Sequence, residues 1–333
     1  MLYLHNDCTD TYRNMAFDEY CLEQLPLSEP VFWLWRNAPS VIIGLNQNAY
    51  TEVNIDYLKA HGIGLVRRVT GGGAVYHDLQ NLNYTLVGRT TDMERDYPHY
   101  VGLMAEALQQ MGVPATLSGR NDILVDGRKV SGYAKRVWKD RLMVHGTLMY
   151  NVDINTLTEV LNVKGEKLEN HGIGSVRSRV ANLKEYLPEL DGVMALRSEL
   201  RRILNHDGRD GELTLTAEQQ AAIDQLADER FRTWEWNYGR SPEASIAHRK
   251  RFACGTVEAQ VSVSHGYIDA VTFQGDFIGN EPAERLAPPL VGCRYDVPAI
   301  VERLEDSHPA VGDCFDGLTA PELAQLLAGA GTE

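Results

Sequence analysis

The strongest constraint on this chain is a run of three glycines between two segments that predict β-strands. Residues 67–78 have the sequence RRVTGGGAVYHD. Glycine lacks a Cβ and tolerates positive φ, so successive N–H groups can converge on an anion. An arginine beside such a turn can fork onto phosphate or carboxylate oxygens. The run predicts an anion-binding turn. The alternative, a tight loop without a ligand, leaves the arginines and the His77-Asp78 pair unexplained.

Three further motifs lie downstream. Residues 121–134 have the sequence NDILVDGRKVSGYA, in which Asp126-Gly127 is a hairpin signal and Lys129 lies where the return strand begins. Residues 145–150, HGTLMY, predict another strand. Residues 172–183, GIGSVRSRVANL, predict a glycine-flanked basic loop that leads into a helix. Basic side chains therefore recur in motifs that are far apart along the chain.

These motifs together resemble the lipoate–protein ligase A family. The family carries an Arg-Arg-x-Ser/Thr-Gly-Gly-Gly-Ala-Val-x-His-Asp loop, an Asn-Asp then Lys-x-Ser-Gly hairpin, a His-Gly-Thr-Leu strand and a Ser-Val-Arg-Ser-Arg-Val-x-Asn-Leu loop, and all four occur here in order. Residues 236–242 and 275–277 resemble its entry into a C-terminal accessory domain, so the resemblance covers nearly the whole chain. Thr70 and Gln80 depart from the commoner Ser and Gly, and neither removes a chemically required group.

Both the residue pattern and the resemblance indicate an α+β protein. Hairpins among the strands favour a mixed or antiparallel sheet over a doubly wound parallel one. The resemblance implies a catalytic domain of the biotin/lipoate ligase type over residues 1–245 and a small α+β accessory domain over residues 250–333. Ser241, Pro242 and the basic run 248–251 mark the expected boundary.

The hydrophobic pattern and the breakers predict the individual elements. Helices are expected over residues 13–25, 54–61, 97–111, 153–161, 193–205, 216–234, 297–304 and 319–328. Strands are expected over residues 31–35, 41–43, 64–69, 82–87, 143–150, 255–263 and 267–273.

Composition excludes several classes of function. A net charge of −14 argues against a general nucleic-acid binder, whereas local basic motifs on an acidic chain suit a small anion such as ATP. The five cysteines are scattered without a Cys-x-x-Cys pair, which predicts free thiols and no zinc site. The chain shows no signal peptide and no apolar run long enough for a membrane helix. The expected location is the bacterial cytoplasm, or an organelle after removal of a targeting peptide, with no membrane partner.

The resemblance implies a two-step reaction. Lipoate is activated with ATP and Mg²⁺ to lipoyl-AMP, and the lipoyl group is then transferred to a lysine of a lipoyl domain. The expected acceptors are the E2 subunits of 2-oxoacid dehydrogenases and the glycine-cleavage carrier protein. Both ATP and lipoate are substrates, and no tightly bound cofactor is expected.

The resemblance also implies roles for individual residues. Lys129 is the expected catalytic residue, contacting both the acyl carbonyl and the α-phosphate, and Asp122 is a possible magnesium ligand. The ATP or adenylate site is expected to use Arg68, Gly73, Ala74, Val75, Tyr76, Asn121, Asp122, Lys129, Arg177 and Arg179. The lipoate site is expected to use Gly72, Gly73, His77 and Lys129.

Several roles stay open on sequence alone. Arg67 is either a ligand contact or a structural ion pair. His77 is either a general base that Asp78 orients or a residue that fixes the loop through a hydrogen bond, and the second is favoured. His145 is either a ligand contact or, as favoured, a buried hydrogen-bonded histidine. Arg177 and Arg179 would face one side of a strand-like segment. The acyl tunnel is expected near Trp35, Val41, Val75 and Leu148.

Three alternative functions are weighed. An octanoyl or lipoyl acyltransferase of the same fold needs a nucleophilic cysteine in the second half of the catalytic domain. No cysteine occurs between Lys129 and Ala253, which counts against it. A lipoyltransferase that uses only preformed lipoyl-AMP is poorly separated from a full ligase by sequence. A non-catalytic module that binds a nucleotide or a lipoyl domain is disfavoured by intact motifs at three separate places.

Overall fold

The chain divides into two compact units that interleave along the sequence. The computed structural model describes residues 1–47, 49–119, 121–161, 178–238, 246–264, 267–295 and 297–328. The first unit comprises Met1–Ile42, Thr51–Val69 and Val75–Asn237. The second comprises Ile43–Tyr50, Thr70–Ala74 and Tyr238–Glu333. The second unit therefore includes two short segments from the N-terminal part of the chain, one of which is the glycine turn.

The described strands up to Asn237 form two sheets. They are β1 Leu2–Leu4, β2 Val31–Trp35, β3 Ser40–Ile43, β4 Gly64–Arg67, β5 Val75–His77, β6 Asn81–Arg89, β7 Ala115–Ser118, β8 Asp122–Val125, β9 Arg128–Trp138, β10 Arg141–Met149 and β11 Glu212–Leu213. The larger sheet has the order β11-β1-β2-β6-β10-β9-β8-β7, and the smaller has the order β4-β3-β5. Strand β1 pairs in parallel with β2 and β11, and the other pairs of the larger sheet are antiparallel. The predicted mixed sheet is confirmed.

Helices connect and cover these strands. They are α1 Thr11–Glu23, α2 Ala49–Glu52, α3 Ile55–His61, α4 Met93–Gln110, α5 Ile154–Val160, α6 Val193–Leu204, α7 Ala217–Leu226 and α8 Trp234–Asn237. Short 3₁₀ turns occupy Leu183–Glu185 and His206–Gly208, and a π-helical turn, Ala227–Phe231, continues α7. Among the described helices, none combines the length and apolar composition that a membrane crossing requires.

The larger sheet is buried on both faces. Side chains alternate between faces along each strand, so Trp33 and Met143 pack on the side of α1 and α7, whereas Leu34 and Val144 pack on the side of α4 and α6. Both clusters contain large apolar side chains that are almost fully buried. Because both faces of the sheet are packed, the polar side chains that its strands carry are held in defined positions.

Local capping explains where the predicted helices begin. Helix α1 starts two residues before the expected position because the Asp10 carboxylate accepts hydrogen bonds from the Tyr12 and Arg13 amides. Helix α4 starts at Met93, four residues before the expected position, because Asp92 caps it. The sequence prediction began α4 next to Pro98, but this proline lies inside the helix. Side-chain capping therefore outweighs the local preference of proline here.

The C-terminal part of the second unit is a three-stranded antiparallel sheet covered by helices. Its strands are β12 Ile246–Phe252, β13 Gly255–Ser264 and β14 Tyr267–Gly275, in the order β12-β13-β14. Its helices are α9 Ala287–Leu290, α10 Val297–Glu305, α11 Val311–Cys314 and α12 Ala320–Leu327. The basic run 248–251, which the sequence predicts to mark a domain boundary, lies within β12. Charged side chains are common on such edge strands.

Candidate active site

A β-hairpin fixes the position of Lys129. Strands β8 and β9 are joined by Asp126 and Gly127, whose φ angles of 50° and 74° are those of a tight two-residue hairpin turn. The Lys129 ammonium lies 2.8 Å from Asp122 Oδ1, and both side chains are about one-third exposed (34% and 35%). Asp122 pairs with Gly132 across the hairpin, and a Cβ at Gly132 would lie only 2.8 Å from the Lys129 ammonium. The small residue leaves room for the lysine side chain.

Neighbouring residues of β9 face different surroundings. Arg128 donates hydrogen bonds to Glu185 at 2.8 Å and to the Tyr186 hydroxyl at 2.7 Å. The Lys129 carbonyl accepts a hydrogen bond from the Ala181 amide at 2.9 Å, so the end of the 172–183 motif lies beside the catalytic candidate. The structure thus brings the hairpin motif of residues 121–134 and the end of the motif of residues 172–183 together.

Of the two arginines in the basic loop of residues 172–183, only one lies in the part of the chain that the structure describes. Arg177 lies outside the described residues. Arg179 is exposed and lies in helical backbone, so the condition under which Arg177 and Arg179 would share a face, a strand-like segment, is not met at Arg179. Successive side chains on a helix point about 100° apart, and the two-residue alternation of a strand does not apply.

Asn121 and Asp122 begin the hairpin. The Asn121 carbonyl accepts a hydrogen bond from the Tyr133 amide at 2.9 Å, which ties the entry of β8 to β9. The described residues contain no cluster of three or more His, Cys, Asp or Glu side chains that could hold a metal by themselves. Mg²⁺ commonly takes only one or two protein carboxylates and completes its shell with phosphate oxygens and water, so the single carboxylate of Asp122 fits this role.

The two arginines before the glycine turn are both buried and donate to different backbone carbonyls. Arg67 is buried and donates to the Trp236 carbonyl at 3.0 Å and the Asn237 carbonyl at 3.1 Å, while the Trp236 indole donates back to the Arg67 carbonyl. Arg67 thus has a structural role, through backbone carbonyls. Arg68 is also buried and donates to the Ile42 carbonyl at 3.2 Å; burial lowers its pKa to about 10, so it remains cationic at pH 7.

His77 is buried beside the indole of Trp35, with their ring centroids 6.1 Å apart. Its Nδ1 lies 3.0 Å from Asn37 Nδ2. Asp78 instead accepts from the backbone amides of Gln80 and Asp153. Among the described residues, Asp78 therefore does not orient His77 as the general-base alternative would require. The other imidazole nitrogen, Nε2, is buried and has no hydrogen-bond partner in the described part of the chain.

A buried polar network missed by sequence analysis centres on Asp18. This carboxylate, on α1, accepts from the Trp33 indole and the Thr85 hydroxyl, each at 3.1 Å, and its other oxygen lies 2.7 Å from His145 Nδ1. The Trp35 indole donates to Thr85 at 3.0 Å. His145 is thus buried and hydrogen-bonded, as favoured from sequence.

Strand β6 also carries polar side chains that sequence analysis overlooked. Asn81, Asn83 and Thr85 alternate along one face and are each at most 1% exposed. Asn81 Nδ2 donates to Asn83 Oδ1 at 2.8 Å, while Asn81 Oδ1 and Asn83 Nδ2 have no partner among the described residues. Polar residues at alternate positions of an otherwise apolar strand are the signal that could have found them, because buried polar groups require partners.

The expected acyl-tunnel residues do not all lie on one side of the sheet. Asn83 pairs with Trp35 on β2 and with Thr147 on β10, so these residues share a face. Leu148 follows Thr147 and faces the opposite core with Leu34 and Leu82. Leu148 therefore cannot line a tunnel beside Trp35, because successive side chains of a strand alternate between faces.

The glycine turn is tightly fixed within the second unit. The Leu45 amide donates to the Thr70 carbonyl at 2.8 Å, and the Gly72 amide donates to the Phe277 carbonyl at 3.4 Å. A Cβ at Gly71 would lie 2.6 Å from the Phe277 carbonyl oxygen, whereas one at Gly73 would meet nothing closer than 3.9 Å. Gly72 has φ of +95°, a conformation that favours glycine. Ala74 and the neighbouring Val75 are partly buried. Burial raises the pKa of Tyr76 to about 12, with smaller contributions from Asp78, Asp153 and Tyr57.

Comparison with known proteins decides the family. Residues 10–201 match the family model described as "Lipoyl protein ligase A/B catalytic domain", and residues 241–327 match "Bacterial lipoate protein ligase C-terminus". The chain belongs to the lipoate–protein ligase family. It is accordingly an enzyme, as the motifs predicted.

Full-length relatives extend this assignment. The chain is 40% identical over 332 residues to lipoate-protein ligase LplJ of Bacillus subtilis, covering 98% of this chain and 100% of the relative. It is 38% identical over 328 residues to lipoate-protein ligase 1 of Staphylococcus aureus, covering 97% and 98%. The likeness thus includes both family regions.

Solved structures confirm the α+β ligase fold. A structure of P. falciparum LipL1 in complex with lipoate superposes with a TM-score of 0.75, covering 92% of this chain and 94% of that one at 24% identity. A structure described as lipoate-protein ligase A bound with ATP gives a TM-score of 0.62 at 29% identity, covering 71% of this chain and 97% of that one.

Proposed function

We propose that this lipoate–protein ligase activates lipoate with ATP and then transfers the lipoyl group to a lysine of an acceptor domain. The observation that carries the proposal is the ammonium of Lys129, held 2.8 Å from Asp122 within the β8–β9 hairpin. Such a cation can follow the reacting oxygen from free carboxylate to mixed anhydride. A solved structure of a T. acidophilum protein with bound lipoic acid, 30% identical to this chain, and the structure of lipoate-protein ligase A bound with ATP support both substrates.

In the first step, a carboxylate oxygen of lipoate attacks the α-phosphorus of ATP, and pyrophosphate leaves with the electron pair of the broken P–O bond. Lys129 and Arg68 would stabilise the negative charge that gathers on the phosphoryl oxygens. Asn121, Asp122 and Arg179 are proposed to bind the adenylate, together with Arg177. Gly72, Gly73, Ala74, Val75 and Tyr76 are proposed to bind the nucleotide and the acyl group, with His77 as a lipoate contact.

Mg²⁺ would be held by Asp122 and by phosphate oxygens. When bound, it would supply positive charge at the phosphates. In this structure the Asp122 carboxylate contacts Lys129 instead, so ATP binding is expected to separate the pair and to bring each group to a different oxygen.

In the second step, the ε-amine of an acceptor lysine attacks the acyl carbon, AMP leaves, and the amine loses one proton. The adenylate is already activated, so no residue needs to create a strong nucleophile on the enzyme. The proposed acceptors are lipoyl domains of 2-oxoacid dehydrogenase E2 subunits and the glycine-cleavage carrier protein. One related structure, from Thermoplasma acidophilum, is described as a bipartite lipoate protein ligase and its E2 lipoyl domain, which supports the first class.

We further propose that catalysis belongs to residues 1–245 and an accessory role to residues 250–333. The match to the catalytic-domain model ends at residue 201 and the match to the C-terminal model begins at residue 241, which supports this division. The interleaved second unit modifies it: the segments 43–50 and 70–74 pack with the C-terminal residues rather than with the rest of the N-terminal part.

A two-part assay tests the reaction. Purified protein is supplied with lipoate, ATP and Mg²⁺, and pyrophosphate release is measured; separately, lipoylation of an E2 lipoyl domain and of the glycine-cleavage carrier is followed by intact mass. The proposal expects both activities. Transfer from supplied lipoyl-AMP without lipoate-dependent pyrophosphate release would identify a transfer-only enzyme. Binding of lipoyl domains without either half-reaction would identify a non-catalytic module.

A further inference from the structure

A line of four buried side chains ends at His77. Asn6, Asn14, Asn37 and His77 are 5%, 1%, 0% and 3% exposed. Asn6 Nδ2 lies 3.0 Å from Asn14 Oδ1, Asn14 Nδ2 lies 2.8 Å from Asn37 Oδ1, and Asn37 Nδ2 lies 3.0 Å from His77 Nδ1. Amide side chains both donate and accept, so the direction of such a line depends on what anchors it.

Backbone groups anchor this line in one direction. The Cys8 amide donates to Asn6 Oδ1 at 3.1 Å, and an amide N–H cannot accept, so the Asn6 nitrogen must face Asn14. Asn14 Nδ2 lies 3.0 Å from the Cys8 carbonyl and 3.1 Å from the Arg36 carbonyl. A reversed Asn14 amide would place an oxygen against two carbonyl oxygens. The orientation of each asparagine is therefore dictated by groups that cannot reverse.

The line determines which nitrogen of His77 carries the proton. Asn37 Oδ1 accepts from Asn14, so Asn37 Nδ2 is the group that donates to His77 Nδ1. That nitrogen must present a lone pair, and a neutral imidazole then carries its proton on Nε2. Burial, followed by the charges of Arg68 and His145, lowers the pKa of His77 to about 3, which keeps the ring neutral at pH 7.

The resulting Nε2–H group is buried without an acceptor among the residues that the structure describes. An unmatched buried donor is unfavourable and rare in folded proteins, so its presence points to an acceptor that arrives with a ligand. The Arg68 guanidinium lies close enough to lower the pKa of His77. A neutral donor beside a buried cation suits an anionic oxygen.

We propose that Asn37 is a positioning residue that holds His77 as an Nε2–H donor, and that this donor binds an anionic oxygen of a substrate. The oxygen belongs either to the carboxylate of lipoate or to a phosphoryl group of ATP. The identity of the substrate rests on the proposed function, whereas the proton position rests only on the protein. His77 is then a hydrogen-bond donor and not a general base.

Long-range ¹⁵N–¹H correlation spectra of the full chain, labelled with [¹⁵N]histidine and free of ligand, test the proton position. The wild-type His77 is expected to show the Nε2–H tautomer. Asn37→Asp replaces the donor opposite Nδ1 with an acceptor, so the proton is expected at Nδ1. Asn37→Ala, which removes the contact without adding charge, is expected to give both tautomers and serves if the aspartate variant does not fold.

The matched control is Asn205→Asp. Asn205 is also buried and donates to the Met1 and Gly211 carbonyls near the β11 edge of the sheet. The Asn205→Asp substitution adds the same negative charge without contacting the line of asparagines that ends at His77. It should therefore leave the His77 spectrum unchanged. An Nδ1–H signal in the wild type, or an unchanged His77 spectrum in both Asn37 variants, overturns the assignment.

Calorimetric titration with lipoate alone and with ATP alone tests the ligand contact. Loss of one buried hydrogen bond should weaken binding by roughly 10- to 100-fold in Asn37→Asp but not in Asn205→Asp. Weaker lipoate binding identifies a carboxylate acceptor, and weaker ATP binding identifies a phosphoryl acceptor. Unchanged affinity for both ligands overturns the donor role. A protein that shows the predicted tautomer and binds ATP but never lipoylates an acceptor refutes the proposed function and leaves the assignment of the proton intact.

Discussion

At the scale of single residues, the charge of Lys129 is expected to matter mainly in the transition state. Lys129→Ala should reduce lipoate-dependent pyrophosphate release by about 10²–10³-fold, the usual cost of one preorganised charged contact. Lys129→Arg should not restore the rate, because a planar guanidinium cannot follow the reacting oxygen as a point charge does. Lys135→Ala, on the same strand, is the control. A folded Lys129→Ala variant with near-normal turnover would remove Lys129 from the mechanism.

The depressed pKa of His77 makes a separate prediction about stability. The folded ring titrates near pH 3, whereas an unfolded histidine titrates near 6.5. Between these values the unfolded chain binds a proton that the folded chain does not, so the free energy of unfolding should fall as pH falls. The slope from this group approaches about 1.4 kcal/mol per pH unit, and its full contribution is present above pH 6.5.

Denaturant unfolding between about pH 7 and pH 4 measures this effect. His77→Gln should lose stability less steeply with acid than the wild type, and the matched change at the exposed His99 should follow the wild-type curve. Parallel curves for all three proteins would show that the pKa of His77 is not depressed in the folded state.

The motifs led directly to Lys129, Arg68 and His77, whereas their supporting residues could not be found from sequence. Asn37 precedes His77 by 40 positions, and Asp18 precedes His145 by 127. A local motif carries no information on such pairs, because only the folded sheet brings them together. The alternating polar residues of β6 were a local sign, but the pattern did not show that the face of the sheet that carries them is buried.

At the scale of elements, two glycines of the turn are expected to have different roles, Gly71 in packing and Gly73 in ligand binding. A methyl group at Gly71 would meet the Phe277 carbonyl oxygen at 2.6 Å, so Gly71→Ala should destabilise the second unit by about 1–3 kcal/mol through overpacking. Gly73 has room for a methyl group, and Gly73→Ala should change stability by less than about 0.5 kcal/mol. Because Gly73 is proposed to approach the nucleotide, Gly73→Ala should instead weaken ATP binding.

Hydrogen exchange of residues 246–264 and 267–295 is the suitable measurement, since all five tryptophans precede Tyr238 and fluorescence reports on the first unit. Faster exchange in Gly71→Ala but not in Gly73→Ala is expected. Equal destabilisation by the two substitutions would show that the turn is not held as the close approach to Phe277 implies.

Helices bounded by capping and breaker residues were easier to predict than very short strands. Helices α1, α3 and α10 lie within two residues of their expected bounds at each end. Strands β1 and β11 have three and two residues, too few for any periodic pattern to show. The basic composition of 248–251 concealed β12, because an edge strand can carry charged side chains without disturbing its pairing.

At the scale of the whole molecule, the two compact units of the structure are not consecutive stretches of the sequence. Two segments, 43–50 and 70–74, join the C-terminal residues in one compact unit. Composition along the chain indicates a boundary between consecutive stretches and cannot indicate such interleaving. A fragment that ends near residue 245 would therefore keep these two segments while losing most of the residues that pack with them, so point substitutions in the full chain test the second unit more cleanly than truncation.

The cysteines of the whole chain distinguish a ligase from a thioester-forming acyltransferase. Burial raises the pKa of the Cys21 thiol well above its usual range, and burial with nearby carboxylates raises that of Cys314 to about 12. Cys254 and Cys293 are also buried, and Cys8 is partly exposed. A covalent acyl carrier needs an accessible thiolate with a lowered pKa, so the acyl group should pass through a non-covalently held adenylate.

Replacing Cys8 by Ser and the four buried cysteines by Ala tests this conclusion. ATP-dependent lipoylation of an acceptor domain should remain largely intact, with a loss of stability of about 1 kcal/mol for each buried position. Intact-mass spectrometry of the wild type after incubation with lipoate, ATP and Mg²⁺ should show no hydroxylamine-labile acyl adduct on the protein. A labile adduct on one cysteine, combined with loss of transfer when that cysteine alone is replaced, would establish an acyl-enzyme. The absence of both would support the proposed adenylate as the activated species, because no thioester on the protein would then hold the acyl group.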